Sequence, residues 1–119
     1  PFVYVRSSAK DHGLANLIEG HLEQGSKVMV VEDLISTGGS SLKAVEALRN
    51  AGSQVVGMVA SFTYGFPVAT NAFEVANVQL ETLTDYQSML NAALKSGYIK
   101  EESLETLNEW RKNPSEWGK

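Results

Sequence analysis

Glu32 and Asp33 stand side by side after the apolar run Val28-Met29-Val30-Val31, and the chain continues Leu34-Ile35-Ser36-Thr37-Gly38-Gly39-Ser40-Ser41. Adjacent carboxylates are acceptors suited to the vicinal hydroxyls of a ribose, and they cannot face a phosphate without repulsion. The small-residue stretch has the complementary chemistry. Gly38 and Gly39 let the backbone fold tightly and approach a ligand, while Ser36, Thr37, Ser40 and Ser41 add hydroxyl donors around the same concavity. Together these residues describe a site for a sugar carrying a phosphate. The simpler alternative is that the acids close a strand and Ser40 caps a helix, as in many strand-loop-helix units. The adjacent acids, the Ser-Thr-Gly-Gly turn and the Val-rich run in combination favour the ribose-phosphate site.

A second group precedes it. Phe2-Val3-Tyr4-Val5-Arg6 is followed by Ser7-Ser8-Ala9-Lys10-Asp11-His12-Gly13, a polar segment without apolar periodicity. Lys10 and His12 on such a loop have the chemistry of a lid whose cations arrive when a polyanion is bound. A solitary Lys-Asp-His on a surface turn is ordinarily solvated, so this segment takes its meaning from the motif downstream. His21 lies in an extended stretch ending in a turn, with no evident chemical partner, and is assigned to the surface.

The elements that must position these residues follow from periodicity. Four apolar residues without alternation suit a strand buried on both faces of a parallel sheet, and helical spacing then begins at Leu42, Ala44, Val45, Ala47 and Leu48. The loop between them lies at the carboxyl end of a strand, where open α/β sheets bind ligands and where a helix start offers free N–H groups to an anion. Strands are expected over Phe2 to Arg6, Lys27 to Glu32, Gln54 to Phe62 and Val78 to Leu83, with a weaker one near Asn16 to His21. Helices are expected over Leu42 to Ala51, ending at Gly52; from Pro67 to Asn77; over Tyr86 to Ser96, capped by Thr84-Asp85 and stopped by Gly97; and over Glu101 to Lys112, terminated by Asn113-Pro114. The strand over Val55 to Phe62 also reads as buried, and Trp110 and Trp117 as packing residues.

The 119 residues suit one core, and the net charge of −4 is spread without a basic patch, which disfavours nucleic acid as a partner. No run of about 18 apolar residues exists to span a membrane. The absence of cysteine fits a reducing, cytoplasmic setting.

The loop lacks the terminal Gly-Lys-Ser/Thr of a nucleotide P-loop and the glycine-first order of the dinucleotide fingerprint. Glu32-Asp33-Leu34-Ile35-Ser36-Thr37-Gly38-Gly39-Ser40 instead resembles the phosphoribosyl diphosphate signature of the type I phosphoribosyltransferases. Tyr4-Val5-Arg6 followed by Lys10-Asp11-His12-Gly13 resembles the mobile catalytic loop of the orotate phosphoribosyltransferases. The resemblance implies an α/β fold, with a Rossmann-like parallel sheet flanked by helices. It also implies transfer of the phosphoribosyl group to orotate in pyrimidine biosynthesis, with magnesium carried mainly on phosphoribosyl diphosphate rather than by protein ligands.

By the same resemblance Arg6, Lys10 and His12 serve the diphosphate, and Lys10, His12 and Asp33 are the catalytic residues. Glu32 and Asp33 orient the ribose hydroxyls, Leu34 to Ser40 line the phosphoribosyl site, and Ser36 also touches orotate. A homodimer is implied. Family members are about twice as long, so residues 1–119 are expected to be the carboxyl-terminal part of a single domain. Two positions depart from the family: Ser7 replaces a second basic residue after the arginine, and Thr63-Tyr64-Gly65-Phe66 lacks an arginine that could meet the orotate carboxylate. A phosphoribosyltransferase for another base, and a non-catalytic sensor of phosphoribosyl diphosphate, remain as alternatives.

Overall fold

A computed structural model describes residues 1–7 and 17–118. Two short strands, β1 (Tyr4–Val5) and β2 (Ile18–Glu19), pair antiparallel as a separate hairpin. The main sheet is parallel, in the order β3 (Lys27–Ile35), β4 (Gln54–Thr63), β5 (Leu80–Asp85). Helix α1 (Gly39–Asn50) connects β3 to β4, and α2 (Pro67–Val75) connects β4 to β5. Two further helices, α3 (Tyr86–Ser96) and α4 (Glu101–Lys112), follow β5, and one turn of 3-10 helix (Pro114–Glu116) closes the described chain.

The core lies between the sheet and the first two helices. Ile35, Val45, Met58, Ala60, Ala69, Phe73 and Val78 form one buried cluster. Among the described residues only one sheet face is covered in this way, which corrects the expectation of strands buried on both faces. Along β3 exposure alternates from Lys27 to Asp33, with Val28, Val30 and Glu32 turned inward. Val31 pairs with Val59 and Val59 with Glu81, so Leu83 lies on the same outer face. On that face Met29, Val31 and Leu83 are 51%, 73% and 88% exposed.

Several boundaries differ from expectation for local reasons. The Phe2 to Arg6 strand shrinks to Tyr4–Val5 because its ladder with β2 extends over only two pairs. Strand β3 runs three residues beyond Glu32, carried by the pairing of Leu34 with Phe62 and Ile35 with Thr63. Helix α2 stops before Asn77, which adopts a left-handed φ of 56°, and the Val78 N–H donates to the Phe73 carbonyl. That bond finishes the helix and moves the start of β5 to Leu80. Helix α3 has the expected bounds: Asp85 accepts from the Ser88 N–H at 2.8 Å, and Gly97 takes φ 83° at the C-cap. Helix α4 also keeps its bounds. Trp110 packs among aromatic rings, as expected, whereas Trp117 is half-exposed.

Candidate functional site

The extension of β3 places both acids inside the strand rather than at its end. Successive residues of a strand point to opposite faces. Glu32 faces α1, where Ser41, a residue 3% exposed, donates its hydroxyl to Glu32 Oε2 at 2.5 Å. Asp33 is exposed, and its Oδ1 accepts from the Leu34 N–H at 2.7 Å. The alternation breaks at Leu34, which is 42% exposed, and Ile35 turns into the core at 0%.

The chain then turns through Ser36 and Thr37, both exposed, into Gly38 at φ 86°, the N-cap of α1. No side chain caps this helix, so Ser40 does not play that part; it lies, exposed, in the first turn. The first bond inside the helix runs from the Leu42 N–H to the Gly38 carbonyl. The N–H groups of Gly39, Ser40 and Ser41 therefore precede the intrahelical ladder, at the positive end of the helix dipole. A Cβ at Gly38 would stand 2.8 Å from Phe73 Cε2, whereas one at Gly39 would, among the described residues, meet nothing nearer than Thr37 Oγ1 at 3.8 Å.

Arg6, Ser7, Glu32, Ser40 and Lys43 line one hollow of about 500 Å³ between the β1–β2 hairpin and α1. The structure thus brings Arg6 to the same cavity as one acid and one loop hydroxyl. Arg6 Nε lies 2.6 Å from Glu19 Oε1, without the alignment of a hydrogen bond. Lys43 was not foreseen, and Ser41, expected as a hydroxyl donor at the concavity, is instead buried against Glu32. Lys43 sits three residues beyond Ser40, one helical turn on, which is the signal that could have found it. Lys10 and His12 lie outside the described residues. His21 is at the surface, as expected, with Nε2 3.6 Å from Glu23 Oε1.

The neighbouring loop after β4 carries no cation of its own, but a cation reaches it from α4. Arg111 Nε donates to the Tyr64 carbonyl and Arg111 Nη2 to the Gly65 carbonyl, each at 2.9 Å. Nearby, the bond from the Ser88 N–H holds the Asp85 carboxyl below its ordinary pKa, and burial pushes the Tyr86 phenol up.

Residues 1–82 match the family model of the phosphoribosyl transferase domain. The orotate phosphoribosyltransferase of Bacteroides fragilis is 68% identical over 117 residues, 98% of this chain and 55% of that protein. The orotate phosphoribosyltransferase of Listeria monocytogenes is 56% identical, over 100% of this chain and 57% of its own length. The chain spans about half the length of these curated relatives. Among solved structures, orotate phosphoribosyltransferase from Aeropyrum pernix superposes with a TM-score of 0.69 at 30% identity, over 82% of this chain and 52% of that one. The Mycobacterium tuberculosis H37Rv orotate phosphoribosyltransferase in complex with 5-phospho-alpha-D-ribosyl 1-diphosphate gives 0.56 at 33% identity, over 63% and 45%.

Proposed function

Because the chain belongs to the phosphoribosyl transferase domain family, we propose that it forms the phosphoribosyl diphosphate site of an orotate phosphoribosyltransferase. The reaction joins the anomeric carbon of phosphoribosyl diphosphate to a ring nitrogen of orotate, releases diphosphate and yields orotidine 5′-monophosphate. The observation that carries this reading is the turn from Ser36 to Ser41. Its left-handed Gly38, open Gly39 and unladdered N–H groups suit an anion, and they follow the two carboxylates after Leu34 and Ile35. The choice of orotate rests on the names of the relatives that match nearly the whole chain.

Each group has a role in that reaction. The N–H groups and hydroxyls from Ser36 to Ser40 hold the 5′-phosphate. The exposed Asp33 accepts from ribose hydroxyls and so orients the anomeric carbon toward the incoming nitrogen, while Glu32, on the opposite strand face and held by Ser41, lines the hollow shared with Arg6 and Ser40. The departing diphosphate leaves behind an oxocarbenium-like ring, and Arg6, Lys10 and His12 supply positive charge to the leaving group. Ser36 also contacts orotate. Magnesium, a hard cation that favours oxygen ligands and keeps its waters, would arrive on the diphosphate, and the exposed Asp33 carboxylate fits contact with such a complex. A homodimer in the cytoplasm is part of the same proposal, the latter suited by the cysteine-free sequence.

The test joins this chain to the part of the Bacteroides fragilis enzyme that it does not match and measures consumption of orotate. Transfer is expected, and Asp33→Asn should raise the barrier by about 1.5–3 kcal/mol, the contribution of a hydrogen bond to a charged acceptor. Absence of transfer in a folded chimaera would contradict the proposed reaction. A variant as active as its parent would remove Asp33 from the site.

A further inference from the structure

The loop that follows β4 is held from two sides, and one of those holds leads directly to the phosphate cradle. Tyr64 donates its N–H to the Ile35 carbonyl at 3.1 Å. Ile35 is fully buried and immediately precedes Ser36, so this bond fixes the point from which the cradle departs. On the other side the Arg111 guanidinium grips the carbonyls of Tyr64 and Gly65. Gly65, at φ 69°, donates its own N–H to Thr63 Oγ1 at 3.0 Å, and a Cβ there would stand 3.1 Å from Arg111 Nη2. The Tyr64 ring is stacked on Phe66 at 5.2 Å and lies 5.7 Å from Trp110, so the side chain is fixed as well as the backbone.

These contacts have a one-sided energetic role. Helix α4 has no buried residue and contributes nothing to the central apolar cluster. Its attachment runs through Trp110, Arg111 and the bond from the Tyr86 hydroxyl to the Leu107 carbonyl. Removing the Arg111 grip should therefore leave the sheet and its core packed while loosening the loop, which keeps its bond to Ile35 and its ring contacts. The guanidinium fork fits two consecutive carbonyls at once, with hydrogen bonds strengthened by charge; an ammonium on a flexible stem cannot reproduce that geometry.

We propose that Arg111 is a positioning residue of the phosphoribosyl site: through Tyr64 it fixes the Ile35 carbonyl, and with it the start of the Ser36 to Ser40 cradle. The inference rests on the proposed function for the identity of the cradle's ligand. Arg111 makes no hydrogen bond to the cradle itself and acts through the Tyr64 and Gly65 backbone.

The experiment compares the chain with Arg111→Lys and Arg111→Gln, following ribose 5-phosphate binding by amide chemical shifts, amide hydrogen exchange and thermal melting. Both variants should bind about tenfold more weakly, the scale on which losing charge-assisted bonds to the loop lowers the population of the ordered cradle. Exchange should quicken at Tyr64 and across Thr37 to Ser40 while Val59 and Ala60, in the middle of β4, stay protected. Affinity and exchange within about twofold of the parent in both variants would overturn the proposal. So would a uniform rise in exchange along β3 and β4 with a matching fall in melting temperature, the mark of a merely structural residue. A parent chain that does not take ribose 5-phosphate overturns the cradle itself and this inference with it, and that failure is recognised before any variant is compared.

Discussion

Gly38 and Gly39 are neighbours with different obligations. Gly38 has a left-handed φ of 86°, and a Cβ there would run into the ring of Phe73, which is itself 4% exposed and unable to move aside cheaply. Gly39 begins α1 with no comparable contact, so the protein's own packing does not demand glycine at that position. Under the proposed function the demand comes from close approach of the phosphoribosyl group to the backbone. Gly38→Ala should accordingly destabilise the chain by about 1–2 kcal/mol from the backbone alone, and by more from the clash. Gly39→Ala should melt at the parent temperature yet bind ribose phosphates less well. Thermal denaturation paired with a binding titration separates the two, and equal melting temperatures for both variants would contradict the distinction. The glycine pair and the acids were legible because their chemistry is local and contiguous. The Ser41 bond to Glu32 was not, because it depends on how α1 lies over β3, and the Arg111 grip bridges 46 and 47 residues.

At the scale of elements, helices were easier to bound than strands. Tyr86–Ser96 is enclosed by a capping aspartate and a left-handed glycine, signals written within a few residues of each end. Strand ends depend on partners: β3 continues to Ile35 because β4 is there to pair with it, and that extension turned Glu32 and Asp33 to opposite faces. The Val-rich run suggested burial on both sides because hydrophobicity alone cannot say how many layers cover a sheet. The cap of α3 also makes a pH prediction. The Asp85 carboxyl is held below its ordinary range chiefly by the Ser88 N–H. Its contribution is therefore complete above the usual aspartate pKa and is lost as pH falls through the lowered folded value. Melting curves of the chain and of Asp85→Ala should differ near neutrality and converge in acid. A gap that persists unchanged at low pH would show that the charge is not what caps the helix.

For the molecule as a whole, the outer face of the sheet is the largest departure from a fully covered α/β layer. Met29, Val31 and Leu83 stand exposed there, with Val59 37% exposed between them. Apolar surface of this kind is expected to associate, so the chain should self-associate with concentration in sedimentation experiments, and Val31→Lys with Leu83→Lys should shift it toward monomer. A chain that remains monomeric at high concentration would contradict that expectation. The cradle lies at the carboxyl edge of this sheet and is assembled from one strand, one turn and one helix start, so it should operate without help from the outer face. The most direct test of the account is a titration of the isotopically labelled chain with phosphoribosyl diphosphate and magnesium, read at each backbone amide. The account predicts saturable shifts concentrated at Thr37, Gly38, Gly39, Ser40 and Ser41, with smaller ones at Glu32 and Asp33. Saturable binding that leaves these amides unmoved, or no binding at all, would contradict it.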